Sequence, residues 1–456
     1  MKGIDDIGFR KVLEEAFGAE NAQKALDAMA GPASVSVRLN PDKSIEGFGD
    51  ASRVPWSPEG RILSQRPSFT LDPLFHAGCY YVQDSSAMFV GEAVRQMALP
   101  ELRKIEGRPV RVLDLCAAPG GKTTDLASSL RQVFSDGFIL VANEVMKQRV
   151  TVLADNVAIW GDPNVVVTNA DPKAFASLKG FFDLIVADVP CSGEGMFRKD
   201  AQAVQEWSSD TVALCESRQR RIVGDVWDAL SDGGMFVYST CTFNVRENDG
   251  NAEWIAHELG ASVLPMENLP EGVLATRLGA SLVPGLVPGE GQYCAVLKKD
   301  GQGLASQKRK SNGKQGRERN LSGLESLFDI KMNLSLKGDT VIAVPSVIAE
   351  EVAALGMLRP LRTCLGAGEM KGSTFVPSAD LALCYALSPS AYPRVEVSRE
   401  TALMYLHRDS ITLADAPKGY VLICYQDHPL GFVKNLGNRC NSLHPQGRRI
   451  RMDVNL

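Results

Sequence analysis

Apolar and polar positions change their rhythm near residue 110, and that change divides the chain. Between residues 4 and 30 apolar side chains return at helical spacing, with Phe9, Leu13 and Phe17 and then Ala25, Leu26 and Met29. This predicts helical structure that Gly31-Pro32 brings to an end. SVSVRLN alternates as a half-buried strand does, with Arg38 near its end. Loop-rich sequence runs from Pro41 to Pro73. Tyr80-Tyr81-Val82 then suits a short strand, and Asp84 or Ser85 can cap a helix reaching about Met97.

From Val110 strand and helix patterns alternate. Apolar runs at Val110–Leu115, Phe138–Ala142, Val165–Val167 and Phe182–Ala187, and the segment MFVYST, read as strands. Helical patterns start at Lys122 and cover Gln148–Ile159, roughly Ala203–Leu230, and Asn248–Leu259, and Tyr293–Leu297 reads as a last strand. Strand and helix in alternation predict an α/β fold with a mostly parallel sheet. Five strands end in polar residues, and ligands bind in the crevice outside such ends. Asp300–Asn320 is almost devoid of apolar residues and rich in Gly, Ser, Lys and Arg, as a flexible basic linker is. Short strands and helices are expected over 321–390, and a compact, mostly β module from Arg394, with VEV, GYVLICY and LGFVKNL as its strands.

Composition narrows the class. The chain of 456 residues is 45% hydrophobic and 23% charged, and has no run of eighteen apolar residues. No membrane span is expected. The first residues carry acids and lack an apolar core, so no secretory leader is expected. Ten cysteines stand without a CxxC pair, which argues against both a zinc site and a disulfide framework, and the expected location is the cytoplasm. The net charge is −5, yet residues after Asp300 carry about six excess positive charges. A basic end on an acidic body suits a polyanionic partner, although solvated faces produce the same imbalance.

Chemistry concentrates at the strand ends. In RVLDLCAAPGGKTTDL, Gly121-Lys122-Thr123 looks like the end of a phosphate-binding loop, but Cys116 stands where that loop needs its first glycine. The alternative is a turn that holds an adenosyl ligand, with Gly120 and Gly121 admitting close backbone approach. Glu144, about 30 residues after the first strand begins, suits a ribose diol, and Asp171 could accept from an adenine amino group. Acids also end strands for turn chemistry. Lys122 either meets a ligand carboxylate or simply begins its helix. Asp188, Cys191 and Cys241 add two thiols and an acid at the next two strand ends. Carbon 5 of cytosine is a poor nucleophile until a thiolate adds to carbon 6, with an acid assisting at nitrogen 3 and a base later removing the carbon 5 proton. Spacing leaves open which cysteine attacks.

LDLCAAPGGKT, ADVPCSGEGMFRKD and YSTCTFNVRENDGNAEWI resemble the motifs of the Sun family of RNA cytosine-5 methyltransferases. FTLDPLFHAGCYYVQDSSAMF and the basic C-terminal module resemble its bacterial branch acting on 16S ribosomal RNA. The resemblance implies a Rossmann-like class I methyltransferase domain with an N-terminal α+β RNA-binding region and a C-terminal PUA-like module. It divides the chain into 1–95 (RNA recognition), 96–300 (catalysis), 301–320 (linker), 321–390 (connecting α+β) and 391–456 (PUA-like). It implies S-adenosyl-L-methionine held by Cys116, Ala117, Ala118, Pro119, Gly120, Gly121, Lys122, Glu144, Asp171 and Asp188. It makes Cys241 the nucleophile, Cys191 the residue that resolves the adduct, and 16S ribosomal RNA or the small subunit the partner, with no metal. The alternatives are a non-catalytic RNA-binding protein on the same scaffold and a P-loop ATPase. Arg38, Arg198, Lys199 and the Arg448–Arg451 cluster could meet phosphates or be plain surface charges. Phe75, Tyr80 and Tyr81 could stack on bases or belong to the core.

Overall fold

The computed structural model describes residues 8–301 and 321–454, so all but Gly301 of the expected linker lies outside the described residues. Its centre is a sheet whose strands are covered on both faces. β5 (Val110–Asp114), β6 (Phe138–Asn143), β7 (Val165–Thr168) and β8 (Phe182–Asp188) are short and almost continuously apolar, and nearly every residue in them is buried. With β9 (Leu230–Thr240) they run parallel in the order β9-β8-β5-β6-β7. The order reverses direction at β5, and that switch point opens the crevice in which the site lies. β13 (Gln292–Lys299) joins antiparallel to β9, as the expected last strand, and three short strands missed in the sequence extend that edge: β10 (Ala261–Leu264), β11 (Leu274–Ala275) and β12 (Ala280–Leu282).

Several helices depart from their expected bounds. The first is two helices, Phe9–Phe17 and Ala19–Met29, broken at Gly18, whose φ of 80° the α-helix does not allow. The long stretch after Cys191 is also two, Ala201–Glu206 and Ser209–Val226. Ser208 Oγ caps the second by accepting from Thr211 N at 3.1 Å. Residues from Leu230 onward belong to β9, so Gly233-Gly234 lies inside the strand rather than before it.

Three further four-stranded sheets surround the centre. The N-terminal one has the order β2-β3-β1-β4, built from β1 (Val35–Leu39), β2 (Ser52–Val54), β3 (Ser57–Leu63) and β4 (Tyr80–Val82). Residues 332–377 form a meander of β14 (Met332–Lys337), β15 (Thr340–Pro345), β16 (Leu365–Lys371) and β17 (Thr374–Pro377). The C-terminal sheet contains β18 (Arg394–Glu396), β19 (Gly419–Tyr425), β20 (His428–Asn435) and β21 (Cys440–Ser442), with a helix, Arg399–His407, that the sequence reading lacked. The exposed edge of β7 is covered by the chain before β16: Val167 N donates to Arg362 O and Leu361 N to Val167 O, each at 2.9 Å. Among the described residues no helix is long and apolar enough to cross a membrane.

Several charged and aromatic residues are placed differently from the nucleic-acid reading. Arg38 is 1% exposed. It donates to Gln83 Oε1, Gly121 O and Thr124 Oγ1 and stacks 4.7 Å over Trp160, so no phosphate reaches it. Arg198 donates to Glu290 Oε2 at 2.6 Å with its side chain only 9% exposed, and Lys199 pairs with Asp84. Arg448 bridges Asp155 and Asp380, each at 2.8 Å, and so ties the C-terminal module to the helix Lys147–Trp160 that follows β6. Arg449 and Arg451 are exposed. Tyr80 is core, while Phe75 and Tyr81 pack partly buried against it and its neighbours.

Candidate active site

Asn143 organises the strand ends. Its amide donates to Leu115 O and Ala170 O and accepts from Thr168 Oγ1 and Ala170 N, stapling the turns after β5, β6 and β7 together. The turn after β5 passes through a cis Ala118-Pro119 bond to Gly120, whose φ of 117° requires glycine, and into the helix Gly121–Phe134. Gly121 is small for another reason than the one expected. A Cβ there would meet Tyr81 and Gln83 at 3.3 Å, so the N-terminal sheet is what closes on it.

A cavity of about 550 Å³ opens at this edge of the sheet. Cys116 and Ala118 line it beside Asn143, Glu144, Val145, Met146, Arg149, Asp171, Asp188, Cys191, Met196, Arg218, Arg221 and Cys241. Of the residues expected around the cofactor, Cys116, Ala118, Glu144, Asp171 and Asp188 therefore face one space, together with both catalytic cysteine candidates. Ala117, Pro119, Gly120, Gly121 and Lys122 are not among the lining residues. Burial, and then the nearby carboxylates of Asp114, Asp188 and Glu144, push the Cys116 thiol far up, so it is a protonated wall residue. Glu144 is buried, with Oε1 accepting from Met146 N at 2.9 Å and Oε2 3.3 Å from Arg149. Asp171 caps the short helix after it through Lys173 N, and its other oxygen is 4.0 Å from Arg221. Val145 and Met146, each more than half exposed, offer apolar surface beside these acids.

Three donors converge on Asp188. Lys122 Nζ reaches Oδ2 at 2.8 Å, while Ser239 Oγ at 2.8 Å and Gln292 Nε2 at 3.0 Å reach Oδ1. Of the two readings of Lys122, then, the lysine turns to Asp188. Burial works against its charge, but the Asp188 carboxylate outweighs burial and holds Lys122 above the ordinary lysine range. Asp114 lies behind the turn with one oxygen bonded by Thr123 Oγ1, and burial pushes its carboxyl up to about 7.

The two thiols meet. Cys191 Sγ and Cys241 Sγ are 3.3 Å apart. The hydrogen bond with Cys241, and then burial, push Cys191 well above the ordinary thiol range. Their loops are joined by Gly195 N to Cys241 O at 2.8 Å and by Ser192 Oγ to Thr242 Oγ1 at 2.9 Å. The sequence reading passed over Glu247 and Gln219, which are buried behind Cys191. Burial pushes the Glu247 carboxyl up to about 7 against the hydrogen bonds of Ser192 and Gln219. The only signal available was an acid in the segment after Cys241. Among the described residues no group of three or more His, Cys, Asp or Glu side chains could hold a metal ion.

Comparison with known proteins agrees along most of the chain. The family model described as 16S rRNA methyltransferase RsmB/F matches residues 105–298. The N-terminal domain of 16S rRNA methyltransferase RsmF matches 7–85, and the methyltransferase RsmF PUA domain matches 392–450. The chain is 30% identical to the ribosomal RNA small subunit methyltransferase F of Shewanella baltica (strain OS185), over 86% of this chain and 84% of that one. It is 29% identical to the protein of the same name in Erwinia tasmaniensis, over 94% and 93%. Among solved structures it resembles a methyltransferase homolog protein from Pyrococcus horikoshii, with a TM-score of 0.52 and 26% identity, over 64% of this chain and 94% of that one. The structure titled NSun6 from Pyrococcus horikoshii with SFG shares the fold at a TM-score of 0.52 and 18% identity, over 64% and 98%.

Proposed function

Because the chain belongs to the 16S rRNA methyltransferase RsmB/F family, an enzyme class, we propose that it methylates carbon 5 of a cytosine in 16S ribosomal RNA through a covalent bond between Cys241 and carbon 6. The observation that carries this reading is the 3.3 Å contact of Cys191 and Cys241 on a cavity shared with Asp188 and Glu144. S-adenosyl-L-methionine, when bound, supplies an electrophilic methyl group. The site fits it: the cavity is of ligand size, Glu144 and Asp171 are acceptors for a ribose diol and an adenine amino group, and Val145 and Met146 offer apolar surface for the ring. Cys116, Ala117, Ala118, Pro119, Gly120, Gly121 and Lys122 make the turn beneath it.

Cys241, as thiolate, adds to carbon 6 of a cytosine presented by its face, which requires the base to leave its stack. Negative charge gathers at nitrogen 3 during addition. Asp188 assists there by relaying to it a proton from the Lys122 ammonium, 2.8 Å from Asp188 Oδ2, and by taking that proton back once carbon 5 is methylated. Carbon 5 then carries the nucleophilic electron pair and becomes methylated. In release, the carbon 5 proton passes to water and its electron pair re-forms the 5,6 double bond. The carbon–sulfur pair returns to Cys241, which takes the S–H hydrogen bond of Cys191. A sulfur that is hydrogen-bonded leaves more readily, so Cys191 acts in release.

The test incubates wild type, Cys191→Ala and Cys241→Ala with 16S RNA and labelled S-adenosyl-L-methionine. Cys241→Ala should transfer no methyl group, and Cys191→Ala should hold RNA on the protein through a bond that survives denaturation. RNA trapped on Cys241→Ala instead would reverse the two cysteines.

A further inference from the structure

Glu247 takes no part in the chemistry above, yet its carboxylate is bonded to the turn that carries Cys191. It lies between β9 and the helix Asp249–Leu259 and is fully buried. Oε2 accepts from Ser192 N at 3.0 Å and from Gln219 Nε2 at 2.7 Å. The same Gln219 amide donates to Pro190 O at 3.1 Å. Residues on both sides of Cys191 are thus gripped by one carboxylate and one amide. Gln219 is itself held, because its Oε1 accepts from Asn251 Nδ2 at 2.6 Å, and Tyr238 donates to the Glu247 carbonyl at 2.7 Å. The second Glu247 oxygen, Oε1, is buried with no hydrogen-bond partner among the described residues. Burying a carboxyl group with one oxygen unsatisfied opposes folding, and an apolar side chain would fill the space without that penalty. Packing alone therefore does not account for it.

The carboxylate grips one side: its bonds go to Ser192 N and Gln219, whereas Cys241 follows the last residue of β9 and is held by that strand and by Gly195 N. We propose that Glu247 is a positioning residue for Cys191: it holds the Pro190–Ser192 turn so that the Cys191 thiol stays against Cys241, and it serves release of the methylated base rather than formation of the adduct. This inference rests on the covalent reading given under Proposed function. Its step is the release written there, with the carbon–sulfur electron pair returning to Cys241 and the S–H bond coming from Cys191.

Two conservative variants separate geometry from charge. Glu247→Gln keeps the length, so its carbonyl oxygen can accept from both Ser192 N and Gln219, and its amide lies where Oε1 now has no partner. Glu247→Asp keeps the charge and withdraws the acceptor by one methylene. With 16S RNA and labelled S-adenosyl-L-methionine, both should make the first methyl transfer at close to the wild-type rate. Glu247→Gln should also turn over within about threefold of wild type. Glu247→Asp should turn over about 10- to 100-fold more slowly and accumulate denaturation-resistant RNA adduct, as a sub-ångström to one-ångström displacement does. A purely structural role would lower the first transfer and the turnover together, and that result, or normal turnover in Glu247→Asp, would overturn the assignment. Adduct on Cys191→Ala but none on Glu247→Asp would sink the Glu247 inference alone. No adduct on Cys191→Ala would sink the covalent reading and this inference with it.

Discussion

Replacing Lys122 by methionine removes a charge while keeping most of the side chain's length, and it tests whether Lys122 and Asp188 act as a unit. Their atoms are 2.8 Å apart, and the side chains are 15% and 26% exposed. Opposite charges at that distance attract by ~6 kcal/mol at an effective dielectric of ~20, much of which desolvation offsets. Removing one partner of a buried pair costs about 3–5 kcal/mol. Asp188 keeps Ser239 and Gln292 on Oδ1 and loses the Lys122 bond on Oδ2. Water reaches its exposed quarter, so the lower end applies, about 3 kcal/mol of folding stability, and the loss of one preorganised charge beside the reacting ring should slow transfer by roughly 10²-fold. The assay is single-turnover methyl transfer, enzyme in excess over RNA, for wild type, Lys122→Met, Asp188→Asn and the double variant. If the pair works together, the double variant should be about as slow as the slower single one. Losses that multiply to roughly 10⁴-fold, or a wild-type rate in Lys122→Met, would refute the reasoning.

Glu247 makes a pH prediction. Its carboxyl is raised to about 7 in the fold against an ordinary 4.5, so the folded state favours its neutral form. Stability from this group is present below pH 4.5 and is lost as pH rises through 7, by at most about 3 kcal/mol. Urea unfolding of Glu247→Gln should therefore gain on wild type between pH 5 and pH 8, and a constant difference would contradict it. Arg448→Ala should cost about 1–3 kcal/mol by freeing Asp155 and leaving Asp380 with Arg362 alone, yet leave the salt dependence of RNA affinity unchanged. A shallower salt slope would mean that Arg448 does touch phosphate. Gly161→Ala would place a Cβ 2.1 Å from Leu383 O at a φ of 93°. It should destabilise by more than about 2 kcal/mol and speed proteolysis around residues 383–385, measured against wild type at equal protein concentration.

The five parallel strands of the central sheet and the polar residues at their ends were legible in the sequence, while the short strands β10, β11 and β12 were not. Strands buried on both faces must be apolar throughout, so β5 to β8 announce themselves locally. A polar residue just past such a run has only the ligand-facing edge to occupy, which is why Asp188, Cys191 and Cys241 were legible as a group. Gly120 was read as admitting a ligand's close approach, whereas the structure adds that its φ of 117° requires glycine. What the tertiary structure alone decided is whom each charge meets. Arg38 and Arg198 read in sequence like Arg449 and Arg451, yet Arg38 is buried and Arg198 largely so, both in hydrogen-bonded networks, and the others are exposed. Lys122 finds Asp188 sixty-six residues away, and Ser192 finds Glu247 fifty-five away. The physical reason is range. Hydrophobic periodicity is a property of neighbouring positions and survives in the one-dimensional pattern, whereas a buried polar group is satisfied by whichever partner folding brings within about 3 Å, and no local pattern records that choice.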